Sequence, residues 1–124
     1  MRIFKCKRCG NIVVLIDDKG GKLSCCGEDM IELKANDVDA AKEKHVPVIE
    51  ENDNVVTVTC GEVLHPMEDN HYIEFMIIET TNGYSIKYLK PGDEPKCIFD
   101  LSKDEKIISA YAYCNLHGLW VNNK

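Results

Sequence analysis

Cys114 and His117 stand three positions apart in "YCNLHGLW", close to the end of the chain, and both side chains become transition-metal ligands once deprotonated. The chain has only four histidines; the other three, His45, His65 and His71, also lie in short polar contexts beside Pro, Glu or Asp. Four imidazoles and one thiolate make five ligands, one more than zinc takes from a protein. A six-coordinate ion with one open position fits that number better, and imidazole-rich sites suit iron. Blue copper is the competing chemistry, built from two histidines, a cysteine and a weak methionine. No methionine follows His117, so Met67 would have to serve. Any one histidine alone reads as a surface or hydrogen-bonded residue; four out of four at the ends of elements is a pattern that reading does not account for.

A second constellation lies near the N-terminus. Cys6 and Cys9 form a chelating pair across two residues, and after 15 intervening residues Cys25 and Cys26 follow with no spacer. A two-residue spacer on a tight knuckle turns both sulfurs towards one ion, and Gly10 helps the turn. The distal half departs from a zinc ribbon, because adjacent cysteines in an extended chain point to opposite sides. Bringing both to one ion requires a locally strained turn, for which Gly27 is placed. The residues support one tetrahedral all-thiolate metal and leave iron and structural zinc both open, while a thioredoxin-like redox pair lacks its βαβ context.

These sites need elements to carry them. With 124 residues the chain has enough material for one ordinary domain or for a small module joined to a larger one. Residues 1–34 form a unit in which Ile12 to Ile16, the turn signal Asp17-Asp18-Lys19-Gly20-Gly21 and a return through Leu23 read as a hairpin. Such a unit is too small to bury a core of its own and calls for a metal, disulfides or a partner, of which its four cysteines offer the metal. Residues 35–53 read as a linker, with a short helix over "NDVDAAKEK" capped by Asn36 or Asp37 and ending before Pro47. From Asn54 the period changes to two: Val56, Val58 and Cys60; Ile73, Phe75 and Ile77; Tyr84, Ile86 and Tyr88; Ile108, Ala110 and Ala112. Turn signals at Asn82-Gly83 and in "KPGDEPK" separate these runs, so residues 54–124 are expected to form an antiparallel β-sandwich. The fold class is all-β.

Composition narrows the partners. The formal net charge of −6 argues against nucleic acid, and no apolar run approaches the roughly 18 residues of a membrane span. Lys5, Lys7 and Arg8 gather locally and read as a solvated face. Seven cysteines, an odd number, fit reduced thiols in the cytoplasm better than a disulfide framework.

"CKRC" followed by "CCGEDM" resembles the desulforedoxin-type iron domain, and "EKHVPVIE", "HPMEDNHYIE" and "CNLHG" resemble the three metal-binding segments of superoxide reductase. Together they resemble the desulfoferrodoxin family, the two-iron form of that enzyme, over essentially the whole chain and in the family's order. The resemblance implies a desulforedoxin-like domain followed by an immunoglobulin-like sandwich. It implies Fe(III) held by Cys6, Cys9, Cys25 and Cys26. It also implies a catalytic iron, alternating between Fe(II) and Fe(III), with His45, His65, His71 and His117 in its equatorial plane and Cys114 as axial thiolate. The family's glutamate-lysine pair corresponds to Glu43 and Lys44, the first able to occupy the sixth position of the oxidised iron and the second lying near that open site. Cys60 and Cys97 fall outside these motifs, and Cys60 reads as buried core.

The activity so implied is one-electron reduction of superoxide to hydrogen peroxide without dismutation, in defence against oxygen stress. The electron donor would be rubredoxin or a similar carrier, and the assembly a homodimer. Superoxide is an anion approaching an acidic chain, so Lys44 would supply local attraction. Backbone N–H groups beyond Cys114, including those of Leu116 and His117, are expected to hydrogen-bond the axial sulfur. The readings that compete are a small iron electron-transfer protein with no substrate of its own and a zinc-stapled binding module.

Overall fold

The computed structural model describes residues 1–124, and the chain divides into two compact units, residues 1–34 and 35–124. No helix is long and apolar enough to cross a membrane.

In the first unit, strand β1 (Arg2–Lys5) pairs antiparallel with β2 (Ile12–Leu15), and two short strands, β3 (Ser24–Cys25) and β4 (Glu28–Asp29), pair with each other. A last strand, β5 (Ile31–Glu32), covers the other edge of β1. The apolar run therefore does not pair with a return through Leu23, as the sequence suggested. It pairs backwards across the cysteine knuckle, because Cys6 N–H bonds the Asn11 carbonyl at 2.8 Å and Gly10 N–H bonds the Cys6 carbonyl at 3.0 Å, reversing the chain at once. Exposed Arg2 then spans the unit, pairing with Asp18 at 2.6 Å and Glu32 at 2.9 Å.

The second unit contains one turn of helix and seven strands. Helix α1 (Lys42–His45) leads into β6 (Pro47–Asn52), β7 (Val55–Cys60), β8 (Ile73–Thr80), β9 (Gly83–Tyr88), β10 (Lys96–Asp100), β11 (Ile107–Cys114) and β12 (Gly118–Asn123). They form two antiparallel sheets, ordered β10-β7-β6 and β12-β11-β8-β9. Between them lies one apolar core of Val56, Val58, Cys60, Ile73, Met76, Ile78, Cys97, Phe99, Ile107, Ala110, Ala112 and Cys114. This is the sandwich that the period-two runs predicted.

Two differences from the sequence reading have physical causes. The stretch 35–53 is not a free linker, since β6 is a full edge strand with Pro47 at its first position, where a missing N–H costs no ladder bond. The helix shrinks to one turn because Asn36 does not cap it. Asn36 takes a left-handed φ of 61° and accepts the Val121 N–H at 2.8 Å while donating to the Val121 carbonyl at 3.1 Å, acting as a strand partner for β12.

The core faces also shift. Between Tyr113 and Cys114 the β8 partner jumps from Phe75 to Ile73, so a bulge at Glu74 puts Ile73 on the same face as Met76 and leaves Phe75 and Ile77 on the other. A second bulge, at Ile108, turns Ile107 inward beside Ala110 and Ala112 and leaves Ile108 exposed. One inserted residue reverses the parity of everything beyond it, which a strict period of two cannot register.

Candidate metal centres

In the first unit the four thiols of Cys6, Cys9, Cys25 and Cys26 lie within 4.8 Å of one another, and none is in a disulfide. Cys9 Sγ is 3.6 Å from Cys25 Sγ, which is 3.9 Å from Cys26 Sγ. Four sulfurs at about 2.3 Å from one tetrahedral ion would be about 3.8 Å apart, so the cluster has the size of a metal site. The adjacent pair converges because Cys26 and Gly27 both have positive φ, 53° and 80°, forming the two-residue turn of the β3–β4 hairpin. A non-glycine residue there is strained by about 1 kcal/mol. Backbone N–H groups of Cys9, then Arg8, draw the Cys6 thiol down to about 7, whereas hydrogen bonding to Cys9, then Cys25, pushes Cys26 up to about 12. Thiols this close cannot all ionise without a cation among them, and a metal removes that conflict.

The second cluster is assembled from three segments at one end of the sandwich, the α1 turn, the β7–β8 connection and the β11–β12 hairpin. His45 ends α1, His65 follows β7, His71 precedes β8, and His117 precedes β12 in the β11–β12 hairpin that Cys114 opens. The rings of His45, His65, His71 and His117 form a closed cycle. Successive neighbours meet edge-on, at interplanar angles of 72° for His45–His65, 83° for His65–His71, 76° for His71–His117 and 88° for His117–His45. His45 Nε2 lies 3.1 Å from both His65 Nε2 and His117 Nδ1. Imidazole nitrogens at about 2.1 Å from an ion and at right angles would lie about 3 Å apart. The two edges that meet at His45 have the length that a square of four imidazole nitrogens around one ion would give, and the edge-on rings of His65, His71 and His117 complete the cycle.

The outer nitrogens fix the tautomers. His45 Nδ1 donates to the Ala41 carbonyl and His65 Nδ1 to the Pro66 carbonyl, each at 2.7 Å, so both Nε2 lone pairs face inward. His71 Nε2 is buried without any hydrogen-bond partner, a state that costs about 1–3 kcal/mol unless something binds it. Burial lowers His45 and His71 below the usual imidazole value and brings His65 to about 4, which keeps these rings neutral and able to ligate at pH 7.

Cys114, fully buried, lies with its Sγ within 4.8 Å of the ligating nitrogens of His45, His65 and His71. His117 is outside that tightest set, but its Nδ1 is 3.8 Å from the same sulfur. Burial raises the Cys114 thiol, against which the N–H groups of His117, at 3.4 Å, and Leu116 favour the thiolate, as the sequence led us to expect. Met67, the copper ligand that would be needed, instead accepts the Ile73 N–H on its sulfur at 3.4 Å.

Glu43 and Lys44 are exposed on the turn that carries His45, and their charges reach the cluster, Glu43 raising His45 and Lys44 lowering His71. That turn is pinned from behind. The Glu43 carbonyl accepts the Val63 N–H at 2.9 Å, and buried Cys60 directs its thiol at the carbonyls of His45, 3.3 Å, and Lys44, 3.5 Å. A side chain at Gly61 would collide with the carbonyls of Lys44 and Val63, so this close approach requires glycine.

Two contributors were not legible as such. Cys60 is core, as expected, but it also braces the ligand turn. Asn115 was only a letter in "CNLHG"; its Oδ1 accepts the Tyr72 N–H at 2.9 Å and its Nδ2 donates to the Asn70 carbonyl at 3.1 Å, tying the His117 hairpin to the His71 loop. An asparagine between two ligand residues is the signal that could have marked it.

Comparison with known proteins agrees with this arrangement. Residues 37–123 match the sequence model of a family described as desulfoferrodoxin, and residues 1–33 that of the desulfoferrodoxin N-terminal domain. A desulfoferrodoxin homolog from Archaeoglobus fulgidus is 48% identical over 120 residues, covering 97% of this chain and 94% of its own length. The desulfoferrodoxin of Nitratidesulfovibrio vulgaris is 48% identical over 118 residues, covering 95% and 92%. The crystal structure of the superoxide reductase from Treponema pallidum aligns with a TM-score of 0.82 at 33% identity, over 98% of each chain.

Proposed function

The chain belongs to the desulfoferrodoxin family, and we propose on that premise that it is a superoxide reductase, converting superoxide to hydrogen peroxide with one electron and two protons and without dismutation. The observation that carries this reading is the closed square of His45, His65, His71 and His117 with the Cys114 sulfur close by. All five side chains would hold one iron, and the four thiols of the first unit another. Iron held there would supply the redox chemistry, as Fe(II) and Fe(III) at the histidine site and as Fe(III) among the four thiolates.

The protein's own groups do the rest. Lys44 Nζ, exposed beside the cluster, offsets the repulsion between an acidic chain and a small anion and draws superoxide to the open side. Glu43, on the same turn, would offer a carboxylate to the bound ion when no substrate is there. Inward-facing Nε2 atoms on His45 and His65 hold the plane rigid, because each ring is locked by its outer hydrogen bond. N–H donation from His117 to Cys114 tempers the electron density the sulfur offers. Product protons come from solvent and from Lys44 Nζ at the exposed face.

The family context supports a rubredoxin-like donor and a homodimer, and seven free thiols support a reducing, cytoplasmic setting in oxygen-stress defence. The decisive experiment is the ratio of peroxide formed to superoxide consumed with a reductant present. One peroxide per superoxide, with matching reductant oxidation, is expected. One peroxide per two superoxides with the reductant untouched would refute the proposal.

A further inference from the structure

We propose that Trp120 is a positioning residue for two neighbouring ligands of the histidine centre, and that its fluorescence reports the occupancy of that centre. The inference rests on the metal reading above. Trp120 is the only tryptophan in the chain and is completely buried. It stands on β12 opposite Ala112 of β11, whose small side chain leaves room for the indole. The indole stacks on the His45 ring, with centroids 4.8 Å apart and planes inclined by 26°. Its Nε1–H donates to the main-chain carbonyl of His117 at 3.1 Å.

These two contacts fall on adjacent corners of the square. His45 meets His65 and His117 edge-on and is held at Nδ1 by the Ala41 carbonyl, so the indole closes a face of the ring that the other contacts leave open to tilting. The bond to His117 acts at the hairpin tip, where the same residue gives its N–H to Cys114. A buried indole needs one acceptor for its N–H, and that acceptor here is a ligand residue. One rigid side chain thus links the orientation of His45 to the placement of His117, although it neither ligates nor touches substrate.

Two substitutions separate the contacts. Trp120→Phe keeps an aromatic face for His45 and removes the donor to His117; Trp120→Leu removes both. Metal-free full-length protein would be titrated with Co(II), whose ligand-field bands report geometry, in competition with a chelator, and folding checked by circular dichroism. The four-thiolate bands are recorded separately on His65→Ala.

We expect wild type to take two Co(II), with Trp120 emission quenched as the histidine site fills. We expect Trp120→Leu to bind the second Co(II) roughly tenfold more weakly, with shifted bands, and Trp120→Phe to fall between. Both variants matching wild type in affinity and bands would overturn the inference, and if the leucine variant fails to fold, the phenylalanine variant alone decides it. A wild type that takes only one Co(II), with unchanged emission, would overturn the metal reading beneath it.

Discussion

His45 and His65 turn their Nε2 atoms towards each other at 3.1 Å while each gives its Nδ1 proton to a carbonyl of its own loop. Two lone pairs facing each other repel unless a cation lies between them, so this pair binds metal or is strained. His65→Ala should empty the histidine centre and leave the four-thiolate centre filled, since the two clusters belong to separate compact units. Metal analysis should then fall from about two ions per chain to about one. Loss of both ions would mean the clusters are not independent.

Lys44 and Glu43 share one turn but should affect different quantities. Lys44→Ala should lower the bimolecular rate with superoxide several-fold and flatten its salt dependence, because it removes the local cation from an acidic surface. Glu43→Ala should leave that rate within about twofold while shifting the absorption of the oxidised protein. Stopped-flow measurements over a range of ionic strength check both, and an unchanged salt slope in Lys44→Ala would sink the steering role.

Asn115 joins the His117 hairpin to the His71 loop through two side-chain hydrogen bonds. Asn115→Ala should destabilise the second unit by about 1–3 kcal/mol, at about 0.5–1.5 kcal/mol for each bond. It should also weaken metal binding at the histidine centre by roughly tenfold, as loss of a supporting contact does. Urea unfolding of the metal-free protein and chelator competition measure the two effects separately.

Glu105 accepts the Thr80 hydroxyl and the Ser102 N–H, the latter at 2.8 Å, and these bonds hold its carboxyl below the ordinary range, the Thr80 bond contributing most. A carboxylate whose folded pKa is depressed stabilises the fold above its unfolded value. That contribution is lost as pH falls through the depressed value. Metal-free wild type should therefore exceed Glu105→Gln in stability at pH 7, and the difference should shrink below about pH 4.5, the ordinary carboxylate value. A gap that stays constant down to pH 3 would contradict the assignment.

The sequence by itself determined which side chains are available for metal and in what order they come. Thiols at Cys6, Cys9, Cys25 and Cys26 and the four histidines can be read because ligand chemistry depends on residue type, and the alternation Val56, Val58, Cys60 because a half-buried strand repeats every two residues. Tertiary structure decided how they meet. The turn at Cys26 and Gly27 brings neighbouring thiols together, against the alternation of an extended chain. Bulges at Glu74 and Ile108 reverse which side chains face the core, and one inserted residue leaves no mark in composition. The ring of imidazoles arises only when three segments far apart in sequence, the His45 turn, the His65–His71 loop and the His117 hairpin, reach one end of the sandwich. Its braces, Asn115 on the Asn70–Tyr72 loop, Cys60 on the Lys44 and His45 carbonyls and Trp120 on His45 and His117, are contacts between elements. Such contacts depend on distance in space, and no local spacing along the chain encodes them.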